Sequence, residues 1–313
     1  MRILIVGAGA TGAYFGTRLA AARRDVTFLV HEKRAQFLAQ RGLRITGTDP
    51  ELRIEPKLLT AGQLQETFDV VVLTVKASAL AAAIVDLAPA VGPDTVIIPF
   101  LNGLGHMDAL GAAFGAEKVL GSVVHLVGTI NAEGDIQVRD PISRWTIGEQ
   151  NGGEMGELSP RVQALLAEIT VPGITAVAVA NGIAIMWEKW VFIVTAATAT
   201  CLMRGPVGDI VQCPGGSDFV GAVLAEASAM SAAAGFPVSA AELAGSLSFL
   251  TAPGSLFTSS LYRDVTAGLP HEGEHIVGDF VRRAQELGVD TPLLNLALLQ
   301  LRVHDAGMAR RSL

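Results

Sequence analysis

Cysteine is nearly missing from this chain: two residues among 313, Cys201 and Cys213. Two such residues build no disulfide framework, and both are expected to behave as small apolar side chains in a reducing cytoplasm. Charge is sparse as well. Only 17% of residues are charged while 50% are hydrophobic, which argues against disorder and for a sizeable core. Basic residues are in deficit, 23 against 30 acidic, leaving a net charge of -7. Nucleic acid is therefore not expected as the main partner, and any anion must be met by positive groups concentrated locally. Uninterrupted apolar runs are short: the one after Lys189 ends at Arg204, and the one from Val70 is broken by Lys76 and Asp86. Neither reaches the length of a membrane span. The N-terminal "MRILIVGAGATGAYFGTRLAAA" imitates a signal peptide, but its centre is patterned with glycine rather than continuously apolar. A soluble, cytoplasmic protein of one large or two ordinary domains is expected.

What is present is a strand-and-helix rhythm. "RILIV", residues 2 to 6, reads as a strand, followed by glycines, a helical pattern and a second strand, "DVTFLV", at 25 to 30. "DVVVLTVKA", "TVIIPFLNGLG", "KVLGSVVHLV" and "ITAVAVA" (174 to 180) continue the series. Strands alternating with helices imply a Rossmann-type, doubly wound, mostly parallel sheet of the α/β class over residues 1–180. Beyond Asn181 the texture turns alanine- and leucine-rich, and residues 181–313 read as an all-helical second domain.

Gly7, Gly9 and Gly12 stand in G-x-G-x-x-G spacing between the first strand and its helix. Gly7 permits the tight turn, Gly9 lets a pyrophosphate approach the backbone, and Gly12 lets helix and strand pack closely. Ala10 and Thr11 complete the loop at the helix N-terminus, where unpaired N–H groups and the positive dipole end suit phosphates. A dinucleotide site is expected. At the end of the second strand, "LVHEKR" offers Glu32 about where a ribose 2′-OH ligand belongs, and His31, Lys33 and Arg34 around it for a 2′-phosphate. The charge count favours NADP(H) over NAD(H). Lys76 ends a buried strand, at the edge where ligands bind such sheets, and Asn102 in "LNGLGH" ends the next. Read alone, each is equally a surface lysine or a turn former.

Lys189 heads the apolar run in "WEKWVFIVTAATAT". On a helix its face continues through Phe192, Ile193, Ala196, Ala197 and Thr200. Sequence physics alone reads it as a lysine whose stem reaches water beside Glu188. The late segment "SSLYRDVTAGLPHEGEHIVG" carries Ser260 and Glu272; a carboxylate in the first turn of a helix has its own structural reason to be there.

Taken together, "GAGATG", "TVKA", "LNGLG", "WEKW" and "SSLYRDVTAGLPHEGEHIVG" resemble the ketopantoate reductase family (2-dehydropantoate 2-reductases) over nearly the whole length. The resemblance implies a Rossmann domain, a helical C-terminal domain, a cleft between them, and NADPH-dependent reduction of a 2-oxo acid. It implies Lys189 as the catalytic lysine and Glu272 beside the substrate hydroxyl. It implies Ser260 near the substrate carboxylate, and Asn102 and Lys76 near nicotinamide and substrate. No metal ligands are assigned; the partner is the small 2-oxo acid, and a homodimer stays open.

The chain also departs from the family pattern. Asparagines usual four and eight residues after the lysine are Ile193 and Ala197 here, the basic residue after the second strand is His31, and a glutamine near Lys76 is Ala79. Two missing amides on the substrate wall favour a less polar 2-oxo acid or ketone. Two alternatives remain at this stage: a related opine, imine or sugar-acid dehydrogenase, and a catalytically silent NADP-binding sensor.

Overall fold

The computed structural model describes residues 1–48, 50–152 and 156–311. The chain divides into two compact units, Met1–Leu101 with His106–Ile185, and Asn102–Gly105 with Met186–Leu313. The sequence texture changes where the last strand ends at Asn181, whereas the units part a few residues later, inside the helix Gly182–Met203.

Among the described residues the first unit holds ten strands: β1 (Arg2–Val6), β2 (Asp25–Leu29), β3 (Leu43–Thr46), β4 (Leu52–Ile54), β5 (Lys57–Leu59), β6 (Phe68–Leu73), β7 (Val91–Pro99), β8 (Gly121–Ile130), β9 (Ile136–Glu149) and β10 (Thr175–Asn181). Five form a sheet in the order β5-β2-β1-β6-β7, every pairing parallel. The chain reverses direction across this sheet between β1 and β6, the switch point where open α/β sheets bind ligands at their carboxyl ends. β1 earns its central place by composition: "RILIV" is buried at all but its first residue. Helix Ala10–Ala21 lies so close that a Cβ on Gly16 would stand 2.5 Å from the Phe28 ring.

The expected single series of strands is corrected here. β8 and β10 do not extend the parallel sheet; they belong to a second, mixed sheet in the order β10-β9-β3-β4, with β8 antiparallel to β9. One hydrophobic core serves both sheets. At its centre Phe15, Phe100 and Trp145 meet edge to face, with centroids 4.8 to 5.6 Å apart.

The second unit is helical among its described residues. Its longest helix, Gly182–Met203, starts before Lys189 and so reaches 22 residues, more than the apolar run alone suggested. By length and composition it is the one described helix able to cross a membrane, and most of it is buried inside the protein. Trp187 and Trp190, three residues apart, fix its rotation: Trp190 packs on Phe280 at 4.8 Å and Trp187 stacks on Phe236 at 6.0 Å.

Candidate active site

In the first unit the carboxyl ends of β1, β2 and β6 surround a cavity of about 680 Å³. Gly7 and Gly9, His31, Glu32 and Arg34, and Thr74, Val75 and Lys76 line it. Gly7 has φ +97, the left-handed region glycine enters at no steric cost. A Cβ on Gly12 would overlap Thr74 Oγ1 and stand 2.5 Å from the Gly7 carbonyl oxygen. At Gly9 a Cβ would meet open space. The helix that starts at Ala10 has no acidic residue in its first turn, so its N–H groups and dipole stay available to an anion. The cavity, the cramped glycine and the open helix end fit a dinucleotide. Sequence reading passed over Thr74: its hydroxyl donates to the Val6 and Gly7 carbonyls at 2.9 and 3.0 Å and ties the glycine loop to β6. The signal was there, one residue before "VKA".

The positive residues after β2 are not equivalent. Arg34 is half-buried, donates to the Ala8 carbonyl at 3.2 Å and lies over the Phe37 ring at 5.2 Å. Burial pulls its pKa below the usual arginine value. His31 and Glu32 are exposed at the cavity wall; Lys33 is exposed and outside its lining. Lys76 lies three residues beyond the end of β6, at the start of a 3₁₀ turn.

In the second unit, Lys189 sits in the second turn of Gly182–Met203. Burial lowers its ammonium pKa from 10.5 to about 8, and the carboxylate of Glu272 opposes that fall. Two hydrogen bonds set the register between these residues. Trp190 Nε1 donates to the Ile276 carbonyl at 2.9 Å, and the Ile276 N–H donates to the Glu272 carbonyl at 2.8 Å. The tryptophan beside Lys189 thus anchors the segment that carries Glu272. Residues 274–278 form a π-helical turn, a rare geometry often found at functional sites.

Asn102 belongs to the same unit. Gly103, with φ +75, is held there so closely that a Cβ would stand 3.2 Å from the His275 carbonyl and 3.6 Å from Trp190. The two adjacent serines divide their work. Ser259 is buried, caps helix Ser260–Thr266 by accepting from the Tyr262 N–H at 3.0 Å, and lies 2.8 Å from Thr200 Oγ1 on the lysine helix. Ser260 is exposed. Ile193 is half-buried and Ala197 is buried. So Asn102, Lys189, Ile193, Ala197, Ser260 and Glu272 share one unit, while the glycine loop, His31, Lys33, Arg34 and Lys76 belong to the other.

Two related families match the chain in succession. The ketopantoate reductase PanE/ApbA family matches residues 3–152, and its C-terminal domain family matches residues 181–304. The chain belongs to the ketopantoate reductase family and is an oxidoreductase of that family. It is 33% identical to an uncharacterized oxidoreductase, YkpB, of Bacillus subtilis (strain 168), over 98% of this chain and 99% of that one. The 2-dehydropantoate 2-reductase of Methylococcus capsulatus superposes with a TM-score of 0.85 at 25% identity, covering 98% of each chain. The fold is shared more widely. A D-mandelate dehydrogenase solved with NADH and anilino(oxo)acetate gives a TM-score of 0.85 at 17% identity over 99% of each chain.

Proposed function

We propose that this chain reduces a 2-oxo acid to the 2-hydroxy acid with NADPH, and that Lys189 is its general acid. The observation that carries the reading is a lysine on a mostly buried apolar helix, held in register with the segment of Glu272 by the Trp190–Ile276 hydrogen bond; burial brings its pKa down to about 8 against the pull of the Glu272 carboxylate. A group with a pKa near working pH gives up a proton in the transition state and still recovers it from water.

Bound in the first unit, the dinucleotide supplies the hydride for C2. Gly7, Gly9, Ala10, Thr11 and Gly12 would hold its pyrophosphate, with Arg34 and His31 at the 2′-phosphate and Lys76 toward the nicotinamide. Lys189 donates its proton to the carbonyl oxygen as that oxygen becomes an alkoxide, and its charge stabilises the developing anion. Glu272 orients the substrate beside the lysine and supports the charge on the lysine. Ser260 and Asn102 are assigned to the substrate carboxylate and the reacting end. The test is a panel of 2-oxo acids and ketones followed by NADPH absorbance. Tight NADPH binding with no turnover of any 2-oxo acid would make the protein a sensor instead.

Cofactor choice has its own test. After β2, Arg34 is held at the cavity wall by the Ala8 carbonyl and Lys33 lies outside the lining, so Arg34 carries the 2′-phosphate on this reading. A charge-assisted contact of this kind is worth on the order of 1–3 kcal/mol. Arg34→Ala is therefore expected to weaken NADPH roughly ten- to a hundredfold with little change for NADH, and Lys33→Ala to change neither much. Titration of both cofactors by fluorescence checks this. Tighter NADH binding by the wild type would transfer the role to Glu32 as a ribose ligand.

A further inference from the structure

Glu272 is flanked by two anchors, and both lead to one helix. One residue before it, His271 is almost fully enclosed, its side chain 7% exposed. Its Nδ1 accepts from the Gly273 N–H at 3.2 Å, so Nε2 carries the proton and donates to Asp305 Oδ1 at 2.7 Å. The ring therefore bridges the backbone across Glu272, from residue 271 to the amide of residue 273. Two residues after Glu272, Glu274 receives a two-pronged bond from Arg302, at 2.6 and 2.9 Å. Arg302 and Asp305 stand three residues apart on helix Pro292–Arg311, on one face.

Gly273 supplies an independent observation. Its backbone, φ -57 and ψ -46, is ordinary helical geometry that any residue adopts, so conformational freedom does not explain the glycine. Space does. A Cβ there would stand 3.0 Å from His271 Nδ1 and 3.2 Å from Leu301 Cδ1, and would drive the ring off the amide. The two anchors differ in strength. Glu274 and Arg302 are both more than half exposed, and such pairs contribute little. The enclosed imidazole is the stronger one.

We propose that His271, oriented by Asp305 and seated over Gly273, is the positioning residue that fixes the Glu272 carboxylate for Lys189. The proposal rests on the reading of Lys189 and Glu272 as the catalytic pair. His271 touches neither substrate nor cofactor in it; it acts through Glu272. His275 and Glu274 in this segment, and Arg302, His304, Arg310 and Arg311 on the helix behind it, are the other charged or titratable groups of the two elements. His304 lies close enough for His271, His304 and Asp305 to bring ligating atoms within 4.8 Å of one another, yet it is outside the hydrogen-bond chain that reaches Gly273.

The test is steady-state reduction of the best 2-oxo acid from the panel, from pH 6 to 10, on the full-length protein. His271→Ala is expected to raise KM for the oxo acid about tenfold, with a smaller loss in kcat and unchanged NADPH affinity. Its alkaline limb should move to lower pH, because a displaced Glu272 no longer supports the charge on Lys189. His271→Asn, which keeps an acceptor for the Gly273 amide, should recover most of the loss. In a Glu272→Ala background His271→Ala should add nothing, as for residues that act as one unit. Asp305→Ala serves as the milder variant should His271→Ala fail to fold, and should move the same two quantities less.

A fall in Tm with KM and the alkaline limb unmoved would overturn the proposal and leave His271 structural. An additive loss in the double variant would also overturn it. His304→Ala should match wild type; a loss equal to that of His271→Ala, accompanied by inhibition with EDTA, would assign the trio to a metal instead. Should Lys189→Ala and Glu272→Ala themselves leave turnover intact, the catalytic reading fails first. Should they act while His271→Ala does not, only this inference fails.

Discussion

Lys189→Ala is expected to lower kcat about 10²-fold or more while NADPH binding stays nearly unchanged. Lys189 is not among the residues that line the cavity of the first unit, so on the proposed reading its loss removes the proton donor and leaves the lining of that cavity as it was. The pH dependence follows from the same group. Its pKa is lowered to about 8 by burial, against the pull of Glu272. As the acid it must be protonated when the alkoxide forms. Reduction should then be level below pH 8 and fall about tenfold per unit above it, while oxidation of the hydroxy acid rises through the same range. The stability sign is opposite to that of an ion-pair lysine. The unfolded chain, with its lysine near 10.5, binds the extra proton between about pH 8 and 10.5. The cost of the buried charge is thus fully present at pH 7 and is relieved as pH rises through that window. Lys189→Met, which keeps the stem and drops the charge, is expected to hold or raise Tm at pH 7 as turnover collapses. Stopped-flow and steady-state rates with a thermal melt decide it. Wild-type turnover in Lys189→Ala, or a lower Tm with turnover kept, would make the lysine a structural one.

The glycine loop was legible because everything it needs lies within six residues. Turn, close approach and helix packing are each written as a glycine at fixed spacing, and Gly12 proves to have no room for a Cβ. The second sheet was not legible for the opposite reason. β3 pairs with β4 on one side and β9 on the other, so its partners are not set locally. β9 itself reads "IQVRDPISRWTIGE", a run interrupted by charge and a proline, which normally demotes a strand. The pairing of Lys189 with Glu272 lay between these cases. Resemblance named both residues, but helix periodicity offered only Glu188 as a neighbour for the lysine. Their register rests on Trp190 and Ile276, a contact between distant parts of the chain. The adjacent serines differ by where a helix starts, which the motif does not state: Ser259 is the buried cap and Ser260 is exposed.

Substrate selectivity should turn on Ile193, one helical turn beyond Lys189 and on the same face. If Lys189 reaches the reacting carbonyl, Ile193 and Ala197 stand along the wall beside it, and neither can hydrogen-bond. A substrate hydroxyl left unpaired against such a wall costs roughly 1–3 kcal/mol. Ketopantoate, with its terminal hydroxyl, is therefore expected to be the poorer substrate, about tenfold or more below a 2-oxo acid of similar size without that group. Reintroducing the amides tests the wall directly, and burial ranks the two sites. Ile193 is half-buried, so Ile193→Asn has room to turn its amide toward a ligand. Ala197 is 2% exposed, and an asparagine there must displace packed neighbours at a cost on the order of 1–3 kcal/mol. Ile193→Asn alone should raise the ratio of kcat/KM for ketopantoate over its deoxy analogue, with Tm close to wild type. The double variant with Ala197→Asn should raise the ratio further but melt lower. Wild-type turnover of ketopantoate well above that of the deoxy analogue would mean that other residues supply the missing contacts, and the reading of this helix face would be wrong.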